Sequence, residues 1–340
     1  FGIGGGIAIG DLDFSGPGAT KGFGVNGLYT GDVTAYINTK KVNFRTFYNF
    51  FNAERMGSAY NYQAQDLLGG KLNNNVLDGE VVYADDFMIG SVKNAINVGG
   101  NYRLRQAEHW NIRGSQVEHH FGVFGQINTT FNKYLSVLLS GRVDRVPYND
   151  RFEASPRASV LVHPDERSTI RGSFSTAFRK PTFFEGYLLY PYQGPQGSVT
   201  SLVDTLKFGR INPEGILTAE LGYLNQMSDY FDLDVAAYYN RVTNLITLAP
   251  PQFLTPSDRL AGVGGLDPST GRYTVQFSAN VNGCVDYDVF GGEIGAKIYP
   301  VAGLDIIANY SLNVTSDIRK PGCDIPEGDK RTSQHKINLG

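Results

Sequence analysis

Residues 152–187, FEASPRASVLVHPDERSTIRGSFSTAFRKPTFFEGY, decide how the rest of the chain is read. Two runs of alternating character, 152–163 and 168–178, flank a polar turn of Pro164, Asp165, Glu166 and Arg167. In the second run Ile170, Gly172, Phe174, Thr176 and Phe178 fall on one side, and Thr169, Arg171, Ser173, Ser175 and Ala177 on the other. Side chains alternate across a strand, so this is a ribbon with one apolar face and one polar, charged face. Beyond Phe178 the chain enters a long excursion, 179–215, rich in Tyr, Phe, Pro and Gly. The unit is a hairpin with a short turn at one end and a long loop at the other.

That unit repeats. Strand-like runs occupy 33–39, 42–52, 75–87, 92–105, 117–131, 134–146, the central hairpin, 216–225, 230–247, 287–299, 304–314 and a last run from Ser333. These are thirteen strands, with room for one more before Gly31. Short turns at Lys40 and Lys41, Gly90 and Ser91, Asn132 and Lys133, 165–167, 226–229 and 301–303 alternate with long loops. All six turns are therefore expected at one end of the molecule. The faces alternate too: Leu135, Val137, Leu139, Gly141 and Val143 oppose Ser136, Leu138, Ser140, Arg142 and Asp144.

A soluble β-sandwich also alternates. Three features favour an antiparallel transmembrane β-barrel instead. The runs are longer than the ~5–6 residues usual in soluble sheets and match tilted membrane strands. Turns are short at one end only, as in outer-membrane barrels. Aromatics stand where strands meet turns, at Phe131, Tyr134, Tyr230, Phe231 and Tyr299, the place of interfacial girdles. The polar face carries Arg103, Arg142, Asp144, Arg171, Asp232 and Asp234. A packed core would not tolerate those charges, whereas a wet lumen does. Leu135, Val137, Leu139, Phe174, Val235, Ile294 and Ile306 are expected to face lipid. Arg142, Asp144, Arg171, Asp232, Asp234 and Asn309 are expected to line the lumen.

Composition agrees and narrows the partners. The chain has 340 residues, 41 of them Gly, with 20 Tyr, 21 Phe and 1 Trp, and a net charge of −3. No apolar run approaches the ~18 residues of a transmembrane helix. The near balance of charge disfavours nucleic acid, which selects a basic face. The start, FGIGGGIAIG, does not read as a signal peptide.

Candidate chemistry is sparse. His119 and His120 are adjacent, so they face opposite sides of a strand and cannot share one metal; no metal or cofactor is expected. Asp232 and Asp234 lie on one face about 7 Å apart, a spacing seen in acid–base pairs but equally in any polar lumen. No serine elbow is present, and Gly4, Gly5 and Gly6 lead into no phosphate loop. The chain is not expected to be an enzyme. Recognition is expected in the loops. The excursion 179–215 offers Arg179, Lys180, Phe183, Phe184, Tyr187, Tyr190 and Tyr192, and the loop 106–116 offers His109 and Trp110. Aromatic faces with adaptable polar groups suit sugars, siderophores or peptides; the plain alternative is a self-packed cap. Tyr60 and Tyr62 form a weaker second candidate.

Seven phrases, in order from Asn97 to Leu312, resemble the barrel of a TonB-dependent outer-membrane receptor: NVGGNYRLRQ, FGVFGQINTTFNKYLSVLLSGRVDR, FEASPRASVLVHP, IRGSFSTAFRKPTFFEGY, INPEGILTAELGY, LDVAAYYNRVTNLI and GGEIGAKIYPVAGLDIIANYSL. The resemblance implies a barrel of twenty-two strands in the outer membrane of a Gram-negative bacterium. It also implies a plug domain, and an inner-membrane TonB motor that engages an N-terminal box. Plug and box are missing from these residues, and thirteen or fourteen strands are present, so the stretch is expected to be one part of a receptor barrel, 1–340. Expected partners are outer-membrane lipid, the inner-membrane motor, a solute and a lipoprotein lid at the surface. The expected function is uptake of a bulky, scarce solute, with a plugless channel or adhesin barrel as the alternative. Cys284 and Cys323 flank a hairpin and emerge at its loop end. In an oxidising envelope they are expected to form a disulfide.

Overall fold

The computed structural model describes all residues except 15–22, 59–69, 110, 194–199, 207–208, 250–251, 254–265, 268–271, 302 and 324–332. Fourteen strands form one antiparallel sheet. They are β1 Gly2–Phe14, β2 Phe23–Asn38, β3 Val42–Ser58, β4 Gly70–Ile89, β5 Val92–Glu108, β6 Gln116–Asn132, β7 Leu135–Val146, β8 Arg151–Val162 and β9 Ser168–Arg179, then β12 Glu214–Ser228, β13 Phe231–Thr243, β19 Val285–Val301, β20 Leu304–Arg319 and β21 His335–Leu339. The thirteen expected strands are present, and β1 is the additional one. Sheet order follows chain order, so consecutive strands reverse direction and the six short turns lie together at one end. Neighbouring hairpins are stitched there, with Ala84 N donating to Lys41 O at 2.7 Å and His163 N to Tyr134 O at 2.8 Å.

The long loops contain structure of their own. Between β9 and β12 lie a short helix, α1 Phe183–Tyr187, and strands β10 Leu189–Gln193 and β11 Thr200–Asp204. Between β13 and β19 lie β14 Ile246–Leu248, β15 Gln252–Phe253, β16 Leu266–Asp267, β17 Arg272–Ser278 and β18 Asn280–Asn282. β10, β11, β17 and β15 form a second sheet, which joins the two excursions, and β14 pairs with β18.

Strands run further toward the loop end than their patterning indicates. Near 73–75 three asparagines erase the alternation, yet the backbone stays paired. Asn74 N donates to Asn52 Oδ1 at 3.1 Å and Asn52 Nδ2 to Asn75 Oδ1 at 3.1 Å. Backbone groups need partners whatever the side chains are. The run expected over 230–247 is broken instead, because Asn244 takes a left-handed conformation (φ 56°) that asparagine tolerates.

Register fixes the faces. One row across five adjoining strands reads Ile170, Tyr223, Val235, Ile294 and Tyr310, continuing to Ile337. Four residues along, another row on that face reads Phe174, Ala219, Tyr239, Phe290 and Val314. The opposite face carries Arg171, Gly222, Ala236, Glu293 and Ser311. Leu139 is 51% exposed and Leu221 63%, with no protein layer over them. An apolar face of this extent is untenable in water and is the lipid-facing band of a membrane barrel.

Two residues depart from the expected pattern. Phe178 leaves the apolar face and packs with Tyr187 and Leu206 against a buried cluster of Val146, Tyr148 and Ile211. The β8–β9 register stops at the Arg157–Ser175 pair, while β9 stays paired with β12 as far as Arg179 and Glu214. Tyr299 is no girdle residue: its hydroxyl donates to Asp232 Oδ2 at 3.0 Å, which places it on the charged face. Phe131, Tyr134 and Tyr230 are exposed at the short-turn end. Two of the buried apolar clusters lie at the loop end beneath the excursions, and a third, Leu28, Ala53 and Leu72, lies on β2, β3 and β4.

Candidate solute-binding site

The excursion after β9 is a folded cap. Thr182 caps α1, with Glu185 N donating to Thr182 Oγ1 at 3.1 Å and Thr182 N donating to Glu185 Oε2 at 2.9 Å. Such reciprocal capping lets so short a helix persist. Arg179, the last residue of β9, grips Glu185 with two bonds of 2.8 and 2.9 Å and also pairs with Glu214 at the start of β12. Burial alone would raise the Glu185 carboxyl, but the Arg179 fork and the Thr182 donors hold it below its ordinary range. Tyr148, 1% exposed, donates its hydroxyl to Gly186 O at 3.2 Å. A side chain at Gly186 would sit 2.6 Å from that ring, so only glycine allows this approach.

The loop 106–116 docks on the cap. Ile112 and Ala107 bury against Phe183 and Tyr187. Arg113 N donates to Tyr187 O at 2.8 Å, and the Arg113 side chain pairs with buried Asp204. Two loops singled out separately in the sequence thus form one body.

Under this cap, on the charged face, β5 and β6 set Arg103 opposite His120 and Arg105 opposite Glu118. Glu118 is 3% exposed. Its Oε2 lies 3.0 Å from Lys180 Nζ and 2.9 Å from His120 Nε2. A buried carboxylate needs such partners. Burial pulls the Lys180 ammonium below the usual lysine range; Glu118 opposes this and Arg105 adds to it. Arg103 pairs with buried Asp78 at 2.8 Å. Arg142 binds Asp144 at 2.7 Å and Asn101 at 2.6 Å. Gly122 makes room for them, since a side chain there would meet both Arg142 and Asp144. The Arg105 guanidinium stacks 5.0 Å from the Phe183 ring centroid. Asn101, Arg103, Arg105, His120, Arg142 and Lys180 help to line a cleft of about 170 Å³.

The proposed site residues therefore divide. Lys180, Arg142 and Asp144 meet at this cleft, while Phe183 and Tyr187 are packing residues of the cap. Burial, reinforced by the charge of Glu118, pushes the Tyr187 phenol up to about 12. Phe184 is exposed at 51%. Tyr190 and Tyr192 fall in β10, which pairs with β11. His109 bonds to Asn111 and burial lowers its pKa. Trp110, Tyr60 and Tyr62 lie outside the described residues. Arg171, Asp232 and Asp234 line a separate, wider cleft of about 490 Å³, with Arg171 bound to Glu220 at 3.1 Å and to Asp234 at 3.3 Å. The sequence reading singles out neither Arg105 nor Glu118, and it weighs His120 only as a metal ligand. Their alternation with Arg103 puts them on the charged face, but only the register brings them together.

Cys284 and Cys323 are bonded, with Cα atoms 5.6 Å apart, and Lys320 N donates to Cys284 O at 2.8 Å.

Comparison with known proteins agrees with this geometry. Over 136 residues the chain is 28% identical to the hemophilin receptor of Acinetobacter baumannii, an alignment covering 36% of this chain and 12% of that protein. The siderophore receptor PirA of Acinetobacter baumannii superposes with a TM-score of 0.66 at 12% identity, covering 94% of this chain and 48% of the receptor. PirA of Pseudomonas aeruginosa gives 0.58 at 13% identity, covering 92% and 57%. The chain thus spans about half the length of these solved receptors. Residues 7–340 match the family described as TonB dependent receptor-like, beta-barrel. The chain belongs to the TonB-dependent receptor β-barrel family of the bacterial outer membrane.

Proposed function

We propose that these residues are the capture side of a receptor that takes up a bulky, scarce solute, such as a siderophore, glycan or peptide, driven by the inner-membrane TonB motor. The carrying observation is the folded cap, seated on a charged face whose reverse side is apolar. A lipid-facing wall, a polar passage and a built lid at one end are the parts an uptake receptor requires. The charged face lines the passage, and the rest of the receptor supplies the plug and the motor's contact. The protein makes and breaks no covalent bond.

The test uses the complete receptor in a host lacking its other uptake receptors. Residues 181–213 are replaced by a short Gly-Ser linker, which retains the Lys180–Glu118 pair. We expect the barrel to fold, seen as heat-modifiable mobility on gels, and growth on a supplied panel of ferric siderophores, glycans and peptides to be lost. Deleting the motor should cause the same loss. Growth unaffected by either change would refute the proposal, and uptake that persists without the motor would indicate a passive channel.

A further inference from the structure

We infer that Arg105 reads an anionic group, a carboxylate or phosphate, on the solute; this rests on the uptake reading above. The argument begins with a count of charge at the cleft beneath the cap. Five basic side chains line it: Arg103, Arg105, Arg142, Arg145 and Lys180. Four of them have carboxylate partners, namely Asp78 for Arg103, Asp144 for Arg142, Asp150 for Arg145 and Glu118 for Lys180. Five cations less four carboxylates leaves one positive charge, and Arg105 is the residue without an ion pair among the described residues.

Arg105 is half-buried, and the carboxylate opposite it, Glu118, is already taken by Lys180. Its position is nevertheless defined. The Phe183 ring covers one face of the guanidinium, as cation–π contacts do. Stacking of this kind occupies the face and leaves the in-plane N–H donors directed sideways, in the fork geometry that matches a carboxylate or phosphate. Lys180 and Arg103 lie on the same wall and add to the field. Burial is the main reason the Lys180 pKa is lowered, and Arg105 and Arg103 add to it.

Size sets the scale of what is read. A cleft of about 170 Å³ is smaller than the ≈ 300–1,000 Å³ of a site that takes a whole small molecule. That suits one anionic substituent and not a whole bulky solute. The cleft is therefore a subsite that selects the solute by one group, with the remainder lying against the cap.

The experiment is equilibrium dialysis of radiolabelled inorganic phosphate against the complete, purified receptor in detergent at constant ionic strength. It needs neither a motor nor transport, so its failure is distinct from failure of the uptake proposal. We expect saturable binding by the wild type and at least a tenfold loss in Arg105→Gln. Arg105→Lys, which keeps the charge and loses the fork, should fall between them, and it decides the question should Arg105→Gln not fold. Arg45→Gln, on the same face but away from the cleft, should bind as the wild type does. Three results would overturn the inference: no saturable phosphate binding, an adventitious surface interaction lost equally in Arg45→Gln, or undiminished binding in both Arg105 variants. A structure of the complete receptor with a carboxylate from another segment bound to Arg105 would overturn it as well.

Discussion

Leu138 and Leu139 are neighbours of one chemistry on one strand, and the fold gives them opposite surroundings. Leu139 pairs with Ile127 and Ala158 on the apolar face, whereas Leu138 pairs with Asn128 and Ser159 on the charged face. Leu139 is four residues from the start of β7. At ~3.4 Å per residue and a tilt near 40°, that places it about 10 Å into a band ≈ 25 Å tall, close to the midplane. An arginine facing lipid there costs about 2–4 kcal/mol, or roughly 30- to 900-fold in the folding equilibrium at 1.36 kcal/mol per decade. Arginine at position 138 enters the polar passage and should cost under about 1 kcal/mol. Denaturant titration of the complete receptor folding into phospholipid vesicles, read by tryptophan fluorescence, measures both. Equal losses for Leu138→Arg and Leu139→Arg, or a Leu139→Arg loss below about 0.5 kcal/mol, would refute the facing argument and with it the membrane assignment.

Two further outcomes follow from the same structure. The disulfide closes a separation of 39 residues; Cys284→Ser with Cys323→Ser should cost about 3–4 kcal/mol on the loop-closure relation, and non-reducing peptide mass mapping should find the linked pair in the wild type. The Tyr187 phenol, raised to about 12 by burial and by Glu118, keeps its proton in the folded state at pH values where an unfolded chain has released it. Its stabilising contribution is therefore complete below about pH 10 and is lost as pH rises toward 12. The absorbance difference between wild type and Tyr187→Phe at 295 nm should show a phenolate step near 12; a step near 10 would mean that the cap is open.

What the sequence alone determined is periodic. Alternation at 152–163, 168–178 and 134–146, the short turns and the long excursions were enough to establish strands, their order, their faces and the barrel class, because lipid on one side and water on the other impose a period of two on every strand. The loop end was not legible in that way. There the apolar residues Phe178, Phe183 and Tyr187 bury against one another with no fixed period. Asparagines at 73–75 keep their backbone pairing without patterned side chains, and Tyr299 turns inward to Asp232. The candidate site was illegible for a related reason. Arg105 and Glu118 carry nothing in their own neighbourhoods that links them to Lys180, which is more than sixty positions further along than Glu118 (180 − 118 = 62). Register between β5 and β6, and the return of the chain at the end of β9, made them neighbours, since pairing is set by whole-strand hydrogen bonding and loop packing that local pattern does not encode.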